Sequence, residues 1–412
     1  MNRFFFIVAF IYSSFLLPQL SSGVEVGLDR IFTEDNYRKV IQGKRVGLIS
    51  HHAAINKEWK DALQVFEEQK ACTVKVLMSP EHGFYGAFFA ETLGKDQSEV
   101  VKKYTHISLY GKPEIPSAVA ELCDVLVFDI QDIGVRSYSF INVLLKAVRA
   151  SEKYQMPLIV LDRPNPLGGN LIDGPLPTKG FVPDIPYCHG MTSGELAKFF
   201  KSKYAPGSNV IVVPMKGWSR SMSFQDTGLS WIPTSPQIPG DKTPFFYAAT
   251  GILGHLSLTS IGVGYTLPFQ VVGAPWIEEE LLARTLNSLK LPGVFFFPYQ
   301  YEPFFGKFKM ELCRGVLLVV TDKEKFLPLE TQCAILGILK RLYPKEFAEA
   351  IAIFNKIPYR KTALSNLLGR EDFFEILEKE TYVMWPLRKL CASGRKQFLT
   401  LREPFLISEY SD

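Results

Sequence analysis

Much of what common enzyme classes require is missing from this sequence. No GxGxxG follows the first apolar run and no GxxxxGK[ST] occurs, which removes the dinucleotide fingerprint and the P-loop. There is no GxSxG elbow, so the serine nucleophile of an α/β-hydrolase is disfavoured. Only six of 412 residues are cysteine (Cys72, Cys123, Cys188, Cys313, Cys333, Cys391), and none forms a CxxC pair. A metal cage or redox motif is therefore unsupported, and neither metal nor cofactor is predicted. Lys and Arg are scattered and the net charge is only +4, which gives no electrostatic footprint for nucleic acid.

What is present begins with a leader. Arg3 supplies a short positive region, residues 4–17 (FFFIVAFIYSSFLL) are apolar, and Ser21, Ser22 and Gly23 are small. This predicts a signal peptide over 1–23 and an exported, periplasmic or secreted protein with no membrane partner once the leader is removed. The alternative is an uncleaved anchor, for which the run is short. The length beyond the leader exceeds one ordinary core, so two domains are expected.

Apolar runs of strand length then alternate with segments of helical period: strands at 45–50, 73–79, 107–110, 124–130, 157–162 and 209–214, and helices at 57–69, 117–122, 140–153 and 193–203. That alternation predicts an α/β fold, a Rossmann-like parallel sheet without the nucleotide fingerprint. Runs such as VLVFD and LIVLD are apolar on both faces, as a doubly covered sheet requires. The Pro/Gly-rich stretch 231–244 marks a junction. The predicted units are a catalytic domain over 24–240 and a smaller α+β domain over 241–412 that completes a cleft. The second has strands at 295–301 and 315–322 and helices at 329–342, 347–354 and 373–379.

In open parallel sheets ligands bind outside the carboxyl ends of the strands. Three strands here run into polar loops: SPEHGFYG (79–86), DIQDIGVRSYS (129–139) and DRPNPLGG (162–169). Glu81 stands between Pro80 and Gly83, so its carboxyl is held by a restricted backbone and suits general acid work; His82 sits beside it. Asp129 and Asp132 are candidates for a second carboxylate. Arg136, Tyr138, Asp162, Arg163 and Asn165 are candidates for substrate contact. In HGMTSGE (189–195), Thr192 and Glu195 read as a helix capping box, which leaves His189 as the freer candidate. For each the structural alternative stays open: a cap, an ion pair or a turn. Carboxylate chemistry is what remains, and sugars are its usual substrate.

Taken in order, SPEHGFYG, SLYG (108–111), DVLVFDIQDIGVRSYS, VLDRPNPLGG, YCHGMTSGELA (187–197) and GW (217–218) resemble the exo-acting β-N-acetylmuramidases, a family formerly catalogued as a domain of unknown function. The resemblance covers nearly the whole mature chain. It implies removal of terminal N-acetylmuramic acid from the non-reducing end of peptidoglycan fragments, with Glu81 as the catalytic carboxylate, in a cleft between two domains. The sequence departs from the family pattern at SHHAAIN (50–56) and in 250–265, where His255, Ser257 and Tyr265 replace an acidic and arginine-bearing segment. That departure motivates a rival reading, a non-catalytic muropeptide-binding protein. A metal-assisted hydrolase built on Asp129, Asp132, His82 and His189 is a third.

Overall fold

The computed structural model describes residues 23–90, 98–178, 180 and 182–412; the predicted leader, apart from Gly23, lies outside them. Six strands, β1 (Arg45–Ser50), β2 (Thr73–Ser79), β3 (Thr105–Ser108), β4 (Val125–Asp129), β5 (Leu158–Leu161) and β6 (Val210–Val213), form one sheet in the order β3-β2-β1-β4-β5-β6. Every neighbouring pair is parallel. The strand order reverses between β1 and β4, which is where a doubly wound sheet opens a crevice.

Alternation along the strands feeds two cores. Leu126 and Phe128 of β4 and Leu158 and Val160 of β5 face the helix Phe140–Lys153, while Val127, Ile159 and Leu161 face the opposite layer with Phe66. All of these are buried, and each large apolar side chain contributes roughly 1.5–3 kcal/mol by leaving water. The helix expected over 57–69 starts later, at Ala62. Trp59 has a left-handed backbone (φ 64°), and Asp61 forms the cap by accepting from Gln64 N at 2.9 Å.

Residues 244–277 carry no Asp, Glu, Lys or Arg. They divide among the buried helix Thr243–Leu256, a loop, the strand β7 (Val271–Ala274) and the turn that follows it. Among the described residues no helix is long and apolar enough to cross a membrane. With β8 (Val294–Tyr301) and β9 (Cys313–Val320), β7 builds an antiparallel sheet in the order β7-β9-β8. Val272, Phe296, Val316 and Leu318 face inward to the core shared with Phe140–Lys153. Helices Pro328–Leu342, Pro344–Asn355 and Asp372–Lys379 appear close to their predicted spans. The last helical turns return to the first sheet: Phe405 packs on Phe199 at 5.3 Å, Tyr410 donates to Asp162 Oδ2 at 2.7 Å, and Met215 N donates to the Tyr410 hydroxyl at 2.7 Å.

Candidate active site

Glu81 follows β2 on a loop whose backbone is tightly held. Pro80 precedes it, and His82 and Gly83 both lie in the left-handed region (φ 73° and 80°). A histidine there is uncommon and marks a constrained position. The His82 ring fixes the loop, because its Nδ1 lies 2.6 Å from Phe88 O. A carbonyl only accepts, so Nδ1 carries the proton and Nε2 is left as the acceptor in the neutral ring. Phe84 is fully buried below, and its carbonyl accepts from His52 N at 2.8 Å. Glu81 itself is half-buried, and Ser139 Oγ donates to its Oε2 at 2.6 Å. Ser139 opens the helix Phe140–Lys153, so this bond ties the β2 loop to the β4 loop.

Asp132 stands at the centre of the β4 loop. Gly134 N donates to its Oδ2 at 2.8 Å, whereas Oδ1 is buried with no partner among the described residues. Burial pushes its pKa up from an ordinary 3.8 to about 7, against the opposing pull of the Gly134 and Ile133 amides. A carboxyl poised there exchanges protons near neutrality, which suits acid/base work. Tyr247, on the helix Thr243–Leu256, lies near enough to feel the charge of both acids. Its phenol pKa rises to about 12, first through burial and then through the charges of Glu81 and Asp132. Its hydroxyl lies 3.3 Å from Ser137 Oγ, which in turn lies 3.0 Å from the Tyr187 hydroxyl. Tyr138 packs its ring on Phe140 at 4.5 Å and on Tyr247 at 5.9 Å, and its hydroxyl meets Thr234 Oγ1 at 3.1 Å. Glu81, His82, Asp132 and Tyr138 are thus gathered at one edge of the first sheet, closed by a residue from beyond the junction.

The remaining candidates are placed differently, and each is engaged by other groups of the protein. Asp129 is fully buried and clasped by Arg163, which donates through Nε to Oδ1 and through Nη2 to Oδ2 at 2.9 Å. Arg163 also donates to Ile55 O at 2.9 Å. Burial raises the Asp129 pKa and the Arg163 charge opposes it; the pair joins β4 to the loop after β5. Asp162 is buried and accepts from Arg163 N, Gly194 N, Thr192 Oγ1 and the Tyr410 hydroxyl at 2.7–3.0 Å. Asn165 accepts from Leu167 N within its own turn and donates to Met191 O on the loop before the helix Ser193–Tyr204, both at 3.0 Å. Arg136 donates to the carbonyls of Pro183, Asn366 and Leu367 and so ties the β4 loop to the helix Pro358–Leu368. His189 is buried, accepts from Met191 N at 3.2 Å, and is driven by burial to a pKa of about 3, so it stays neutral. Thr192 and Glu195 form the predicted capping box.

Sequence reading missed Ser139, Tyr247 and His51. Ser139 sits inside a quoted motif, so a search for donors beside the carboxylates finds it. Tyr247 lies in an apolar helix that carries no polar signal. His51, fully buried at the end of β1, accepts from Gln131 N at 3.1 Å and leaves Nδ1 without a partner among the described residues. Gln131 also borders a neighbouring cavity of about 420 Å³ that Asn56, Lys57, Trp59, Arg163 and Trp231 help to line; Glu81 and Asp132 do not line it. Among the described residues no three His, Cys, Asp or Glu side chains are grouped so as to hold a metal ion.

Residues 46–242 match the family Exo-beta-N-acetylmuramidase NamZ, N-terminal, and residues 245–407 match its C-terminal counterpart. The chain is 39% identical over 370 residues to the peptidoglycan beta-N-acetylmuramidase NamZ of Bacillus subtilis, across 86% of this chain and 88% of that protein. A solved DUF1343 family protein from Bacteroides fragilis is 35% identical with a TM-score of 0.84, over 93% of this chain and 98% of that one. A second from the same organism has the same fold at 24% identity and a TM-score of 0.67, over 95% and 100% of the two chains. The two family matches and the similarity to the Bacillus subtilis protein together place this chain in the exo-β-N-acetylmuramidase NamZ family.

Proposed function

We propose that this protein is an exported glycoside hydrolase that releases terminal N-acetylmuramic acid from the non-reducing end of peptidoglycan fragments. The observation that carries the reading is the hydrogen bond that ties Glu81 to Ser139, on the loop that also carries Asp132, at the carboxyl edge of the sheet, in a chain of this family. Glu81 gives its proton to the departing glycosidic oxygen, and the Ser139 hydroxyl orients it. Asp132, poised near neutrality, takes the proton from the water that bonds to the anomeric carbon as the glycosidic C–O bond breaks. Tyr247 stays protonated throughout the neutral range and offers a hydroxyl to the sugar. Export is supported by the apolar run 4–17 and the small residues 21–23.

The test is turnover of a chromogenic muramide by the mature protein, with and without chelator, beside Glu81→Gln. Turnover that is indifferent to chelator and falls by about 10²- to 10⁴-fold in the variant supports the proposal. Muropeptide binding without turnover supports the non-catalytic reading, and loss of activity with chelator supports the metal-assisted one.

A further inference from the structure

The antiparallel sheet has one face in the core and one covered only at its Tyr301 end, where Val271, Tyr301 and Cys313 form a small buried cluster beneath Tyr265 and Phe308. Such an outer face is ordinarily polar. Here the alternate residues of β8 on that side are Phe295 and Phe297, 46% and 53% exposed, followed by half-buried Tyr299 and buried Tyr301, with Val319 of β9 alongside at 37% exposure. The rings continue one another. Tyr299 stacks on Tyr301 with centroids 6.3 Å apart, Tyr301 meets Tyr265 at 5.1 Å, and Tyr265 meets Phe304 at 6.1 Å.

The β8–β9 loop then carries the row to the first sheet. Phe305 lies 6.0 Å from Phe89, on the loop that follows Glu81. This loop is seated firmly: Phe304 N donates to Gly264 O at 2.7 Å, and a Cβ on Gly264 (φ 91°) would come within 2.1 Å of Phe305 O. Tyr265 belongs to the segment that departs from the family pattern, so the altered stretch supplies one of the rings in this row.

We infer that this aromatic row is a track for the glycan strand beyond the terminal sugar, an extended aglycone surface leading away from Glu81. The inference rests on the glycosidase reading for its direction. Its shape favours a linear polymer: β8 alone gives a narrow stripe on the order of 25 Å long, where a lipid surface presents a broad plane. Its chemistry favours a sugar, because the C–H edges of a pyranose ring carry slight positive charge and settle on the negative face of an aromatic ring. Pairing of another strand at the β8 edge is obstructed, since Pro298 has no N–H to give.

The test is the double variant Phe295→Ser with Phe297→Ser, at exposed positions where folding is not at stake. It is assayed on glycan oligomers ending in N-acetylmuramic acid and on a chromogenic monomuramide. The ratio of kcat/KM on oligomer to that on monomuramide is expected to fall about fivefold. In a Glu81→Gln background, cosedimentation with intact sacculi is expected to weaken to a similar extent. If neither substrate turns over but sacculus binding still depends on the row, the catalytic reading fails and the track stands. An unchanged ratio with unchanged sacculus binding overturns the track. So does an unchanged ratio with lost binding to phosphatidylethanolamine–phosphatidylglycerol vesicles, which assigns the face to a membrane, or with a shift from dimer to monomer, which assigns it to a second copy.

Discussion

Asp132 and Asp162 follow neighbouring strands, β4 and β5, at the same edge of one sheet, and both have pKa values raised by burial, to about 7 and about 6. Their surroundings differ. Asp162 accepts four hydrogen bonds, one of them from a tyrosine 248 residues along the chain. Asp132 has one oxygen bonded to its own loop and the other without a partner among the described residues. A buried polar atom left unmatched costs about 1–3 kcal/mol, which a hydrogen bond from a ligand would recover. The two carboxyls thus share a position at a strand end and differ in saturation, and on the proposed reading the unsaturated one works while the saturated one braces the fold.

The sharpest way to break that distinction is to exchange one atom in each class. Glu81→Gln is expected to lower kcat by about 10²- to 10⁴-fold with an unchanged urea midpoint. Asp129→Asn, which leaves the Arg163 guanidinium buried without its counter-charge, is expected to cost about 3–5 kcal/mol in urea unfolding, while the folded fraction keeps its kcat. A large kcat loss in the second variant, at full folding, would erase the division between the two groups.

Asp132→Asn sharpens the comparison through pH. A carboxyl whose folded pKa is raised binds its proton more tightly in the native state. Its contribution to stability is complete below the ordinary value of 3.8 and declines as the pH rises to about 7. Asp132→Asn is expected to flatten that decline in a series of unfolding midpoints, and to remove from the activity profile the limb near pH 7. The smallest effect is expected from Thr192→Ala. It removes one donor to Asp162 and the helix cap, for about 1–2 kcal/mol of stability with kcat unmoved.

The parallel sheet was legible because strands covered on both faces leave unbroken apolar runs: β1 and β2 fall at their expected bounds, and β4, β5 and β6 within a residue. The second region was harder. β7 lies inside the uncharged stretch 244–277, where no polar flank marks its ends, and the helix Glu279–Ser288 does not stand out in the sequence. At the site, the loops were found by their polarity and Glu81 by its stiff neighbours. Asp162, Arg163 and Asn165 have the same signature beside prolines, and nothing local reveals that their partners are Tyr410, Asp129 and Met191. His189 was expected to be free because Thr192 and Glu195 were already assigned; the same cap that engages them leaves the imidazole buried.

The bond from Tyr410 to Asp162 also sets an order of events in the making of the molecule. On a growing chain, the edge of the sheet that carries the polar loops lacks one of its anchoring donors until residue 410 has been added. Whatever stiffness that edge owes to the tyrosine arrives only with residue 410, so a chain that has not yet reached it holds those loops more loosely than one that has.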